Sequence, residues 1–210
     1  MNSFTDLLKL NDVKKAAKEL IKERNIHLKP VCSYTTRPKR DSETEGVEHY
    51  FLTPEEAKNK LESEKILAYT KIGNYEYFST LEGLNGANLY IIDPNGIIYL
   101  KHHFPELNCK VIYIGTPQHI REHRCKDRSD YETKFKLRCQ EEDEQFTAFE
   151  KNRGWDCFIN NTYDLSESLG KMLSFILNEK DSMFLIVGRT GSGKDYLMRE
   201  VLKLVNEVWE

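Results

Sequence analysis

Phe184-Leu185-Ile186-Val187-Gly188-Arg189-Thr190-Gly191-Ser192-Gly193-Lys194-Asp195 stands near the C-terminus and decides the fold. Four apolar residues in a row suit a strand buried on both faces, and residues from about 194 to 208 read as a helix. Between strand and helix, Gly188 to Asp195 fits the phosphate-binding pattern G-x-x-x-x-G-K-[ST] except at its last position. Glycines let the backbone curl so that successive N–H groups converge on phosphate oxygens. The helix N-terminus adds partial positive charge and Lys194 a full one. Asp195 replaces the hydroxyl that normally helps hold Mg²⁺, and a carboxylate can ligate that ion directly or through water. Asp195 is therefore the candidate metal ligand, for Mg²⁺ arriving with ATP.

Outward from this unit, the apolar runs Leu89-Tyr90-Ile91-Ile92 and Val111-Ile112-Tyr113-Ile114, with Cys157-Phe158-Ile159, read as further strands. Helical patterns fall at 12–24, capped by Asn11 or Asp12, after Thr53-Pro54, across 118–151 and at 165–177. Residues 66–69 and 75–78 predict a hairpin around Gly73-Asn74. Strands alternating with helices predict an α/β protein with a parallel sheet. The chain has 210 residues, 39% hydrophobic and 31% charged, which excludes a disordered or low-complexity protein. A net charge of −3 gives no global field toward nucleic acid or anionic membranes. Five scattered cysteines without a CxxC pair, and no signal-like opening, predict reduced thiols and a cytoplasmic setting.

A second motif lies near the start. Ser33-Tyr34-Thr35-Thr36-Arg37-Pro38-Lys39-Arg40 sets two guanidinium groups three residues apart after a strand end, suited to bidentate grip of a terminal phosphate. Together with Glu45-Gly46-Val47-Glu48-His49-Tyr50-Phe51 and the glycine loop, this segment resembles the guanylate kinase family over roughly residues 31–208. The resemblance implies a P-loop kinase with a central parallel sheet, a small nucleoside-monophosphate-binding part (about 33–80), a helical lid (117–140) and the phosphate loop with its helix (183–208). Residues 1–30 are read as a helical extension.

The activity so implied is transfer of the γ-phosphoryl of ATP to GMP or dGMP with Mg²⁺. Carried over residue by residue, Arg37 and Arg40 match the pair that grips the acceptor phosphate. Either His49 or Tyr50 matches a phosphate-binding tyrosine, and Tyr77 matches another. Ser33, Ser79 and Asp93 match residues around the guanine. Arg124, Arg128 and Arg138 match arginines that close over the phosphates beside Lys194, and Asn160 matches an asparagine near the adenine. Ala68 falls where the family carries a guanine-reading glutamate, with Glu64 or Glu76 as nearby substitutes, and Ile91 falls where it carries a second acid. Two other readings stand beside this one: a non-catalytic module binding phosphorylated ligands through Arg37 and Arg40, and a kinase for a different small phosphorylated acceptor.

The order of the pieces departs from the family, whose phosphate loop precedes the Ser33 segment. The simplest account is a circular permutation, with the old ends joined through residues 178–182 and residues 12–24 as a spare copy of the helix after the loop. The expected assembly is a monomer, or a homodimer in which the C-terminal unit completes a neighbour.

Overall fold

The computed structural model describes residues 4–41, 43–126 and 135–210, with side chains from residue 9 onward and without those of residues 136 and 138. Its centre is a parallel sheet built from β5 (Leu89–Ile91), β6 (Cys109–Gly115), β7 (Cys157–Asn160) and β8 (Met183–Val187), in the order β5-β8-β6-β7. The last strand of the chain therefore lies inside the sheet, its Ile186 level with Ile91 on one side and Ile112 on the other.

Every residue of β8 is buried, and successive side chains supply two different cores. Phe184 and Ile186 join Ile112, Ile114, Leu169, Met172, Leu197 and Val201 on one face. Leu185 and Val187 join Tyr90, Ile92, Leu100, Val111, Tyr113 and Phe149 on the other. Burial on both faces is why the strand reads as a continuous apolar run and not as an alternating one.

The first core is covered by α1 (Phe4–Glu23), α7 (Leu165–Asn178) and α8 (Lys194–Trp209). The structure extends α1 well upstream of residue 12, so Asn11 and Asp12 lie inside the helix and cap nothing. Its Ala17 and Ile21 are buried with Leu173 and Val205, while Lys14 and Lys18 pair with Glu200 and Glu207 of α8, each at 2.7 Å. The end of α8 folds onto the exit of α1: Trp209 stacks on His27, ring centroids 4.5 Å apart, and its indole N–H donates to the Ile26 carbonyl at 2.9 Å. The chain then runs on beside the sheet, where Pro30 bridges Leu89 in parallel.

The second core is covered by α4 (Pro94–His103) and α6 (Lys136–Lys151). The predicted 118–151 helical stretch contains α5 (Gln118–Cys125) and α6; residues 127–134 between them lie outside the described residues. No described helix is long and apolar enough to cross a membrane.

A smaller sheet, in the order β2-β1-β4-β3, comprises β1 (Ser33–Thr35), β2 (His49–Phe51), β3 (Ile66–Ile72) and β4 (Tyr75–Thr80). The β3–β4 hairpin turns at Gly73, whose φ of +57° suits a residue without a Cβ. Between the two pairs runs α2 (Pro54–Ser63), whose start is fixed by a capping box of Thr53 and Glu56 with Pro54 at the first helical position. The four-residue α3 (Leu81–Leu84) follows β4.

Candidate functional site

In a parallel sheet the groups that bind ligands collect beyond the carboxyl ends of the strands. Here β8 runs into the glycine loop and neighbouring β5 runs, one residue past Ile92, into Asp93. The two loops thus share an edge. Across this edge Arg199 of α8 comes within 3.9 Å of Glu48, beside His49 of the small sheet, so the tail and the early segment meet on one side of the molecule.

The glycine loop forms a cradle. Gly191 and Gly193 take φ values of +81° and +86°, and a Cβ at Gly193 would lie 2.5 Å from the Asn161 amide nitrogen. With Gly193 as N-cap, α8 opens without a side-chain cap, leaving its first N–H groups to an anion. Three donors hold the loop from below by one carbonyl: Thr116 Oγ1 (3.1 Å), Arg124 (3.1 Å) and Asn161 Nδ2 (2.8 Å) all reach Ser192 O. Arg124 also donates to the carbonyls of Asn161 and Thr162, so its fork ties the loop's Ser192 to the segment after β7. Buried Arg121, one turn earlier, donates to Thr190 O at 3.1 Å. Lys194 is mostly buried, its ammonium 3.8 Å from the exposed Asp195 carboxylate.

From above, α6 meets the loop with carboxylates. Glu142 accepts from the Thr190 N–H at 2.9 Å and from the Thr190 hydroxyl. Arg189 donates to Asp143 at 2.5 Å and to Glu150 at 3.0 Å, over the ring of Phe146. These two acids raise the Arg189 pKa against the lowering effect of burial. Arg128 lies outside the described residues, as does the side chain of Arg138. Asn160 is exposed at the end of β7, and its side-chain Oδ1 accepts from the Thr162 hydroxyl.

The small sheet gathers the other candidates by strand alternation. Ser33 pairs in register with His49, and Thr35 with both Phe51 and Tyr77, so these side chains share one face. Tyr34, Tyr50 and Phe78 share the opposite face, with Tyr34 stacked between the other two at 5.3 and 5.2 Å. His49 thus lies on the face that carries Ser33 and Tyr77, and Tyr50 on the opposite face. His49 Nδ1 lies 2.8 Å from Ser33 Oγ, and its ring meets Tyr77 edge-on at 5.9 Å. Burial first, then the charge of Arg37, lowers the His49 pKa, so the imidazole is neutral near pH 7.

Arg37 makes a two-pronged pair with Glu43, at 2.7 and 2.6 Å, with both side chains about 10% exposed. The same carboxylate accepts from the Arg40 backbone N–H at 2.9 Å, and the Arg40 guanidinium lies 3.9 Å away. Those bonds, with the Arg37 pair foremost, lower the Glu43 pKa to about 2.

At the far end of this face, Ser79 Oγ lies 2.7 Å from Tyr90 Oη, both buried. Asp93 caps α4 by accepting from the Gly96 N–H at 2.8 Å, and its second oxygen accepts from the Thr70 hydroxyl. Neither suggested substitute for an acid at Ala68 comes here. Glu76 accepts from Tyr69 on the opposite face, and Glu64 pairs with Lys60, whose ammonium sits over Tyr34. Ile91 packs into the first core, away from Asp93.

Against this geometry, the sequence model of the guanylate kinase family matches residues 11–179. The chain belongs to the guanylate kinase family. The match ends before the glycine loop begins. The chain is 31% identical to the guanylate kinase of Rickettsia prowazekii over 176 residues, 80% of this chain and 86% of that protein. Shorter stretches are 32% identical to the enzyme of Bacteroides thetaiotaomicron and 38% identical to that of Clostridium acetobutylicum. They cover 49% and 42% of this chain and 53% and 44% of those relatives, so the chain spans about half the length of these two. The crystal structure of guanylate kinase from Anaplasma phagocytophilum shares the fold, with a TM-score of 0.50 at 17% identity, covering 86% of this chain and 88% of that one.

Sequence reasoning missed Glu43, Arg121, Glu142 and the pair Thr70 and Tyr90. A signal existed for the first, an acid three residues after Arg40 and six after Arg37. For Glu142 there was only an acidic run on a helix with no strong apolar stripe, and Arg121 lies one helical turn before Arg124.

Proposed function

We propose that the chain is an ATP-dependent kinase that transfers the γ-phosphoryl of ATP to GMP or dGMP. The observation that carries this reading is the shared sheet edge: an uncapped helix start with Lys194 on one side, and Arg37, His49 and Tyr77 on the other, linked through Asp93 and the Arg199–Glu48 approach. In the reaction a phosphate oxygen of the acceptor attacks the γ-phosphorus in line. The bond to the β–γ bridging oxygen breaks and ADP leaves with the electron pair. No protein nucleophile is required, so the work of the chain is positioning and offsetting charge.

On this reading the N–H groups of residues 191–195 and Lys194 hold the donor phosphates, and Arg37 and Arg40 hold the acceptor phosphate. His49 and Tyr77 add hydrogen-bond donors to the acceptor side. Arg128 and Arg138 cover the transferring group, and Arg124 keeps the loop curled. The exposed Asp195 oxygens fit a hard cation that retains most of its waters and phosphate ligands, so one carboxylate suffices for Mg²⁺. The ion supplies charge neutralisation on the phosphates when bound. Asn160 lies on the adenine side.

The chain order is read as a circular permutation. The contact of Trp209 with Ile26 and His27 supports it, because the end of the loop's helix then abuts the segment entering the acceptor part. Pairing of β8 between β5 and β6 of its own chain supports a monomer, which light scattering tests. The activity is tested by following ADP formation with GMP, dGMP, AMP, UMP and CMP. Turnover with a purine monophosphate is expected. Turnover with none returns the chain to the reading as a phospho-ligand-binding module.

A further inference from the structure

Arg121 buries a full positive charge against the glycine loop. The residue is 5% exposed, yet no carboxylate pairs with it among the described residues. Its Nη1 donates to Thr190 O at 3.1 Å and lies 3.7 Å from Cys139 Sγ, and its Nε has no partner. Glu142, the carboxylate that does touch Thr190, accepts from the N–H and hydroxyl of that residue and not from Arg121. A buried cation without a counter-charge costs stability, and an apolar side chain of similar volume serves the fold at least as well. Keeping the cation there points to an anion that arrives with a ligand.

The backbone shows how such an anion would be served. The loop rests on α5 at Gly191: a Cβ there would stand 2.8 Å from Arg121 O, 3.1 Å from Arg121 Cβ and 3.0 Å from Cys125 Sγ. The guanidinium draws the Thr190 carbonyl toward α5. That peptide is trans and planar, with C=O and N–H pointing opposite ways, so the Gly191 N–H points away from α5. Gly191 is partly exposed, and nothing among the described residues accepts from its N–H. A charged donor on the carbonyl also polarises the peptide, which makes the N–H a stronger donor.

We infer that Arg121 is a positioning residue for the donor polyphosphate: through the 190–191 peptide it turns the Gly191 N–H toward the phosphates, and its buried charge offsets theirs. This inference rests on the kinase reading for the occupant of the cradle, but it concerns binding of the donor and not the transfer.

The test measures calorimetric Kd for ATP and GMP, with thermal melts of the nucleotide-free full-length protein, for the wild type, R121M and R121K. R121M removes the charge at similar length. It is expected to weaken ATP by about tenfold or more, to leave GMP within about twofold, and not to lower the melting temperature. R121K keeps the charge and is expected to bind ATP within about threefold of the wild type. Should R121M fail to fold, R121Q, which keeps a donor for the carbonyl but no charge, takes its place with the same expected loss. Wild-type ATP affinity in the uncharged variant overturns the inference and leaves the kinase reading intact. An equal loss in R121K, with a lower melting temperature in both variants, marks a structural contact and overturns it too. The expected affinities without turnover of any nucleoside monophosphate overturn the kinase reading and leave the inference standing. A wild type that does not bind ATP overturns both.

Discussion

The donor cradle and the acceptor cluster each hold a carboxylate against the groups assigned to phosphate, yet the two are built differently. In the acceptor cluster the carboxylate is Glu43, six residues from Arg37, and the pair closes within one loop. In the cradle it is Glu142, 48 residues before Thr190, and Arg121 and Arg124 reach the loop from 69 and 68 residues away. The acceptor grip is therefore a local device that a short segment specifies. The cradle has its shape only when α5 and α6 are docked on the sheet.

The largest expected effect lies in the cradle. K194A removes the one full positive charge in the first turn of α8, and kcat/KM for phosphoryl transfer should fall by at least about 100-fold in an ADP-release assay. R37A should raise the acceptor KM by about tenfold or more while leaving the KM for ATP nearly unchanged, because the acceptor device is local. It should also lower the melting temperature, since poorly exposed Glu43 loses its two-pronged partner and keeps only Arg40, whose guanidinium lies 3.9 Å away.

The same pair predicts a pH signature. Glu43 titrates near 2 in the folded chain against an ordinary value of 4.5, so its contribution is complete above about 4.5 and lost as pH falls toward 2. Thermal melts of E43Q should start lower at pH 6 and lose less between pH 4.5 and 2 than those of the wild type. A parallel loss in both would separate Glu43 from acid stability. On the cradle side, E142Q weakens the carboxylate's hold on Thr190. ATP affinity should then rise by about two- to tenfold, the worth of one hydrogen bond, and unchanged affinity would mean that nucleotide leaves the contact in place. The smallest effect separates two adjacent residues: H49A should raise the acceptor KM by about two- to tenfold, and Y50F should leave it within about twofold.

Local chemistry is what could be read from the sequence. The glycine spacing of 188–194, the Ser33–Arg40 segment, the Thr53 cap and the apolar runs of β5, β6 and β8 all act within a few residues. His49 and Tyr50 could not be separated until the parallel register of β2 on β1 was known, because a one-residue slip exchanges the two faces. The roles of Arg124, Arg121 and Glu142 depend on helix docking across dozens of residues, and no short-range pattern encodes it. The contacts of Thr70 with Asp93 and of Tyr90 with Ser79 were hidden for another reason: each joins the small sheet to the segment of β5 and its exit, far apart in the chain.

The account depends on donor and acceptor sites facing one another within a single chain. A bisubstrate ligand joining adenosine and guanosine through five phosphates spans both, and its Kd can be measured by calorimetry for the wild type, K194A and R37A. The expected result is one ligand per chain, bound at least about 100-fold more tightly than ATP or GMP alone, with each substitution removing most of that gain. Affinity no better than that of ATP, or a gain insensitive to R37A, would contradict the placement of the two sites across one sheet edge.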